Sequence, residues 1–150
     1  MPTQHDHHPS TIRGAAALAA LPLLLAGCQS ADADRSVEPY DGIAANETIR
    51  FLGTEPFWGG ESADGTLTYD TPENSDGTMI AVERFAGNSG LSIAGELEGA
   101  SFDMVVTPGE CSDGMSDRSY PFVVTLQIGA ETRFGCAWTE RQPFTGSEAP

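Results

Sequence analysis

The run Cys111-Ser112-Asp113-Gly114-Met115-Ser116-Asp117-Arg118-Ser119-Tyr120-Pro121 concentrates more reactive side chains than any other stretch of the chain. Three kinds of chemistry are open to it. Glu110, Asp113 and Asp117 offer the oxygens that calcium prefers, at a spacing that matches no standard calcium loop. Two of Asp113, Asp117 and Glu55 could form a carboxylate pair for glycoside hydrolysis, which needs one raised and one ionised group about 5–9 Å apart in a cleft. In the third reading Asp113-Gly114 makes a turn, Ser116 or Asp117 caps backbone amides, and Arg118 makes a planar two-point contact with a carboxylate. The product is a rigid loop, and Arg118 and Tyr120 are the residue types that form binding hot spots.

A second cluster, Gly53-Thr54-Glu55-Pro56-Phe57-Trp58-Gly59-Gly60, sets an aromatic pair between a turn and glycines. Core filling is the expected role of such aromatics, whereas an exposed Trp58 would make a ligand face.

What else can act chemically depends on the start of the chain. Arg13, the apolar run from Gly14 to Leu25 and the small residues before Cys28 are the parts of an export signal. The apolar run, at 12 residues, is shorter than the roughly 20 that a bilayer span requires. Its ending, Leu25-Ala26-Gly27-Cys28, resembles the bacterial lipobox. That resemblance implies a lipoprotein signal peptide at 1–27, with Cys28 becoming the first mature residue and carrying acyl chains. Buried methylenes at about 0.8 kcal/mol each then anchor the chain to a membrane that it does not span. Gln29, by analogy with sorting in enteric bacteria, points to the outer membrane and a periplasm-facing domain.

Cutting before Cys28 removes His5, His7 and His8, which are the only histidines, and the chain has no lysine. Histidine-dependent acyl transfer is thereby excluded. Cys111 and Cys136 remain as an even pair in a compartment where disulfides persist, so they are expected to bond. Closing a loop of about 25 residues contributes roughly 3–4 kcal/mol. Two cysteines without histidine make a poor zinc site, and neither a metal nor a cofactor is expected.

The 22 acidic residues outnumber the 7 basic ones, all arginine, for a net charge of −15. This balance argues against nucleic acid or anionic lipid as a partner and favours a basic protein, a cation or simple solubility. The acids form no run, as on a solvated surface.

About 122 residues follow Cys28, which suits one small domain, expected to be monomeric. Residues 28–46 are small and polar and read as a flexible tether, and 141–150 as a flexible tail. Between them, 47–140 alternates with a period of two between glycine-rich turns, the pattern of an antiparallel all-β fold. Phe122, Val124, Leu126 and Ile128 share one face. After a Gly129-Ala130 hairpin, Thr132, Phe134, Cys136 and Trp138 are expected to return along the inner face. Ile49 and Phe51, Leu67 and Tyr69 after Asp64-Gly65, Leu91, Ile93 and Leu97, and Phe102, Met104 and Val106 after Glu98-Gly99 mark further strands; 78–85 is another, with an ambiguous inward face. Seven to eight short strands bury their faces as a small β-barrel or a curled sandwich.

Gly53-x-Glu55-Pro56-Phe57-Trp58, Cys111-x-Asp113-Gly114-Met115-Ser116-Asp117-Arg118-x-Tyr120-Pro121 and Gly135-Cys136-Ala137 together resemble a family of uncharacterised bacterial envelope lipoproteins. The resemblance covers about Phe51 to Ala137 and implies an exported, anchored protein with no assigned reaction. Ser116-Asp117-Arg118-Ser119-Tyr120 is more distantly similar to the inhibitory loop of membrane-bound lysozyme inhibitors, with Asp117 where that loop has glycine. The expected function is a non-catalytic binding or structural role in the envelope. The alternatives are inhibition of a basic lysozyme-type enzyme and weak carboxylate-dependent hydrolysis.

Overall fold

A computed structural model describes residues 38–147. Cys28, the signal segment 1–27, the tether as far as 37 and the tail from 148 lie outside the described residues. Eight strands follow one another: β1 Ile49–Thr54, β2 Phe57–Ala63, β3 Thr66–Thr71, β4 Asn74–Ala86, β5 Leu91–Leu97, β6 Ala100–Ser112, β7 Ser119–Ile128 and β8 Glu131–Trp138. Each pairs antiparallel with the next, and β8 pairs with β1, so the sheet closes as an up-and-down barrel.

The turns were written locally. Asp64-Gly65 and Glu98-Gly99 carry positive φ at both residues (49° and 76°; 52° and 86°). That backbone twist matches the right-handed twist of the flanking strands and lets two residues close a hairpin. Between turns the period-two pattern sends one side chain of each pair inward. Ile49, Phe51, Leu67, Tyr69, Ile93, Phe102, Met104, Val106, Phe122, Val124 and Leu126 form a continuous buried core. An eight-stranded barrel is just wide enough for side chains to fill, and this one is filled.

β8 presents the opposite face from the one its apolar residues suggest. Leu126 pairs with Arg133, Val124 with Gly135 and Phe122 with Ala137, so Arg133, Gly135 and Ala137 face inward. Thr132, Phe134, Cys136 and Trp138 therefore lie on the outer wall. The reason is volume. Phe51, Trp58 and Tyr69 form a chain of ring contacts with centroids 5.8 and 6.2 Å apart, which fills the interior beside β8. A Cβ on Gly53 would run into the Trp58 indole, and one on Gly135 into the Leu52 carbonyl and the same indole. Arg133 is accommodated because it donates to the Tyr69 phenol and pairs with Glu131 at 2.9 Å. Glu131 raises the arginine's pKa, against the opposing effect of burial.

The domain is also wider than 47–140. Ile43 belongs to the core, the Tyr40 amide donates to the Gly87 carbonyl at 2.7 Å, and Arg84 donates to the Ile43 carbonyl at 2.6 Å. From Tyr40 onward the expected tether is thus part of the folded unit. The expected free tail is pinned as well. Gln142 donates to the Gly42 carbonyl at 2.7 Å, Glu47 pairs with Arg141 at 3.4 Å, and Thr145 exchanges two 2.9 Å backbone bonds with Ser119. Phe144 packs on Tyr120 and Trp138, with ring centroids 5.4 and 5.6 Å away.

Candidate functional site: a loop folded over the barrel wall

In this antiparallel meander the β1–β2, β3–β4, β5–β6 and β7–β8 turns share one end of the barrel, and the start of β1, the end of β8 and the remaining connections share the other. The β6–β7 loop starts at this second end yet does not stay there. A register shift between Pro108 and Cys111 bends the end of β6. The Cys111–Cys136 disulfide, with Cα atoms 5.6 Å apart, ties that bend to the outer wall at β8. Cys136 is buried beneath this bend and not within the barrel's interior. Further along, the Thr54 hydroxyl donates to the Asp113 carbonyl at 3.0 Å, so the loop reaches the last residue of β1.

Asp113 builds the loop from inside. Its carboxylate accepts the Met115 and Ser116 amides at 2.9 and 2.8 Å, the Ser116 hydroxyl at 2.7 Å and the Tyr120 phenol at 3.2 Å. Burial pushes its pKa up, but these donors favour the charged form and together hold it at about 2. The Ser116 hydroxyl in turn accepts the Arg118 amide at 3.2 Å. Tyr120 is only 1% exposed, and burial, with Asp113 beside it, raises its phenol pKa. The Arg118 guanidinium lies 4.3 Å from the centre of the Phe144 ring. Tyr120 therefore cannot act as a surface hot spot, and Arg118 is engaged by the C-terminal segment. Ser116 and Tyr120, two of the residues behind the lysozyme-inhibitor similarity, are directed at Asp113.

What the loop does present is Met115, 64% exposed. Phe57, on the β1–β2 hairpin, is 51% exposed, and Phe134, on β8, is 69% exposed. Met115, Phe134, Leu52, Glu55 and Val123 help line an open groove of about 540 Å³ on the wall. Met115, Phe57, Glu55, Pro56 and Glu73 line a second, adjoining groove of about 630 Å³ at the hairpin. The two sequence clusters are thus brought together on one face, with Thr54, Glu55 and Met115 common to both grooves.

The aromatic pair divides within one strand. Trp58 points into the core and Phe57 points out, because β2 begins at Phe57 and its side chains alternate from there. The Trp58 indole Nε1 is buried with no hydrogen-bond partner among the described residues. Asp117 is exposed, and among the described residues no three carboxylate or cysteine side chains converge as a metal site. Phe134 escaped the sequence reading because its apolar character assigned it to the interior. Its partner across the sheet, Thr125 in register, was the available signal, since it alternates with Val124 and Leu126.

Comparison with protein-family models, with curated proteins and with solved structures gives no match.

Proposed function

We propose that the chain is a lipid-anchored envelope protein whose barrel is a non-catalytic binding module. Cys28 holds the lipid, and the face carrying Phe57, Met115 and Phe134 holds the partner. The observation that carries the reading is the convergence of these three exposed apolar side chains around two adjoining grooves. Soluble monomers rarely group exposed large apolar residues, and grouping of this kind marks interaction sites. Supporting it, Asp113, the carboxylate with the strongest hydrogen-bond environment, is occupied in holding the loop in shape and stays ionised, which suits a scaffold and not a proton donor. Glu55 and Glu73 at the grooves, on a chain of net charge −15, favour a basic partner with an apolar anchor.

A photo-crosslinking residue at position 115 of the anchored protein tests the reading. It should give a discrete adduct that is lost on Phe134→Asp and absent from position 79, an exposed methionine on another part of the wall. Equal labelling at 79 and 115 would remove the site. A basic lysozyme-type enzyme is one partner of the stated chemistry, and absence of inhibition by the purified protein at micromolar concentration eliminates it.

A further inference from the structure

Arg84 breaks the inward face of β4, where Ile80, Val82 and Ala86 are its inward neighbours and Ile93 of the core stands opposite. It lines a cavity of about 570 Å³ at the second end of the barrel, between segment 40–45 and the β2–β3 turn. The walls are mostly aliphatic, with Ile43, Val82, Ala86 and Leu91 among them, and Arg84 is the one base among the described residues that line it. A guanidinium N–H donates to the Ile43 carbonyl, and among the described residues no other acceptor and no ion-paired carboxylate meets the group. Glu47, whose charge favours the protonated arginine, is itself held by the Ala44 amide at 3.1 Å and by Arg141 at 3.4 Å. Burial is the larger influence on Arg84 and lowers its pKa, yet an arginine stays charged in proteins. A charge held in an apolar recess is costly without a partner.

We infer that this cavity binds a small aliphatic carboxylate, with the acid group on Arg84 and the hydrocarbon chain along Ile43, Val82 and Leu91. The volume lies in the range of small-molecule sites, and an apolar lining with one well-placed charged group is their usual make-up. A planar guanidinium meets a carboxylate at two points, which fixes the ligand's orientation as well as its charge. Asp41 and Asp64 also line the cavity and both are exposed, so a second negative charge on the ligand is disfavoured at the solvent side. The chain's net charge of −15 does not prevent binding. Repulsion between exposed charges is screened beyond about 10 Å at 0.1 M salt, whereas contact with Arg84 inside a recess is screened much less. The cavity shares no lining residue with the two grooves of the Phe57, Met115 and Phe134 face, so the inference is independent of the partner proposed there.

The test is calorimetric titration of the full chain, carrying Cys28→Ser so that no acyl group competes, with octanoate and with octanol. These two ligands share the hydrocarbon chain and differ at the head group. Octanoate should bind at least about ten-fold more tightly than octanol, and Arg84→Gln should erase that preference while leaving octanol unchanged. Arg84→Lys should keep part of it, since the charge stays and the two-point contact goes. Ala45→Trp, at an exposed position of the lining, fills the cavity without removing Arg84 and should weaken both ligands about ten-fold or more. Phe134→Asp should weaken neither. Equal affinity of the parent for octanoate and octanol, or no octanoate binding at about 10 mM, overturns the site. Loss of octanoate on Phe134→Asp overturns it too, by moving binding to the wall groove. Where Arg84→Gln lowers the urea midpoint too far for titration, Ala45→Trp decides, and unchanged octanoate affinity in that variant overturns the site.

Discussion

The Tyr120 phenol and the Ser116 hydroxyl both donate to one oxygen of Asp113, at 3.2 and 2.7 Å. This shared acceptor joins a buried aromatic of β7 to the loop that overlies the wall. The loop's shape is therefore tied to one ionised carboxylate.

The folded Asp113 carboxyl sits at about 2, below its ordinary 3.8. Because the folded value is depressed, its contribution is complete above 3.8 and is lost as the pH falls through about 2. Asp113→Asn should cost about 1–2 kcal/mol at neutral pH and flatten this acid limb. Urea midpoints measured from acid to neutral pH check it, and an unchanged acid limb would assign the titration to another group.

Cys111 and Cys136 close a loop over a sequence separation of 25. The paired Cys→Ser variant should lose about 3–4 kcal/mol. Hydrogen exchange should rise in 112–118 while β2 and β3 keep their protection, since the bond joins the loop to β8 alone. Uniform deprotection of the barrel would mean that the disulfide supports more than the loop.

Gly135→Ala places a methyl against the Leu52 carbonyl and the Trp58 indole. Overpacking of this kind costs about 1–3 kcal/mol. Adding Trp58→Phe should recover part of the loss by removing one of the two collisions. Strict additivity of the two substitutions in thermal denaturation would show that the indole is not the obstacle.

The sequence pattern predicted the closed, all-β architecture because alternation and turn chemistry are local properties. The inner face of β7 was legible for the same reason. β8 was misread because its inward positions are set by rings arriving from β1, β2 and β3, and no feature within Thr132 to Trp138 announces that Arg133 has a phenol to bond. Core filling, expected of the Phe57-Trp58 pair, holds for Trp58 alone, since consecutive residues of a strand face opposite ways and the start of β2 at Phe57 is not marked in the sequence. The Asp113 network was partly visible as turn chemistry. That it turns Ser116 and Tyr120 inward and leaves Met115 outward depends on contacts across the fold. The docking of Tyr40 and Phe144 had no local signal at all.

Phe144 covers Tyr120 and Trp138 from outside the barrel. Phe144→Ala should cost about 2 kcal/mol and loosen the Ser119 to Thr145 bridge. Near-ultraviolet dichroism should lose intensity along with stability. A variant that keeps both would make the C-terminal segment a passive appendage.

The pairing of β8 with β1 leaves every strand flanked on both sides. A partner therefore cannot add a strand to this sheet, and recognition has to proceed through side chains on the wall and turns. The same closure matters under crowding. Copies packed side by side offer one another no edge strand along which a cross-β stack could extend until a barrel opens.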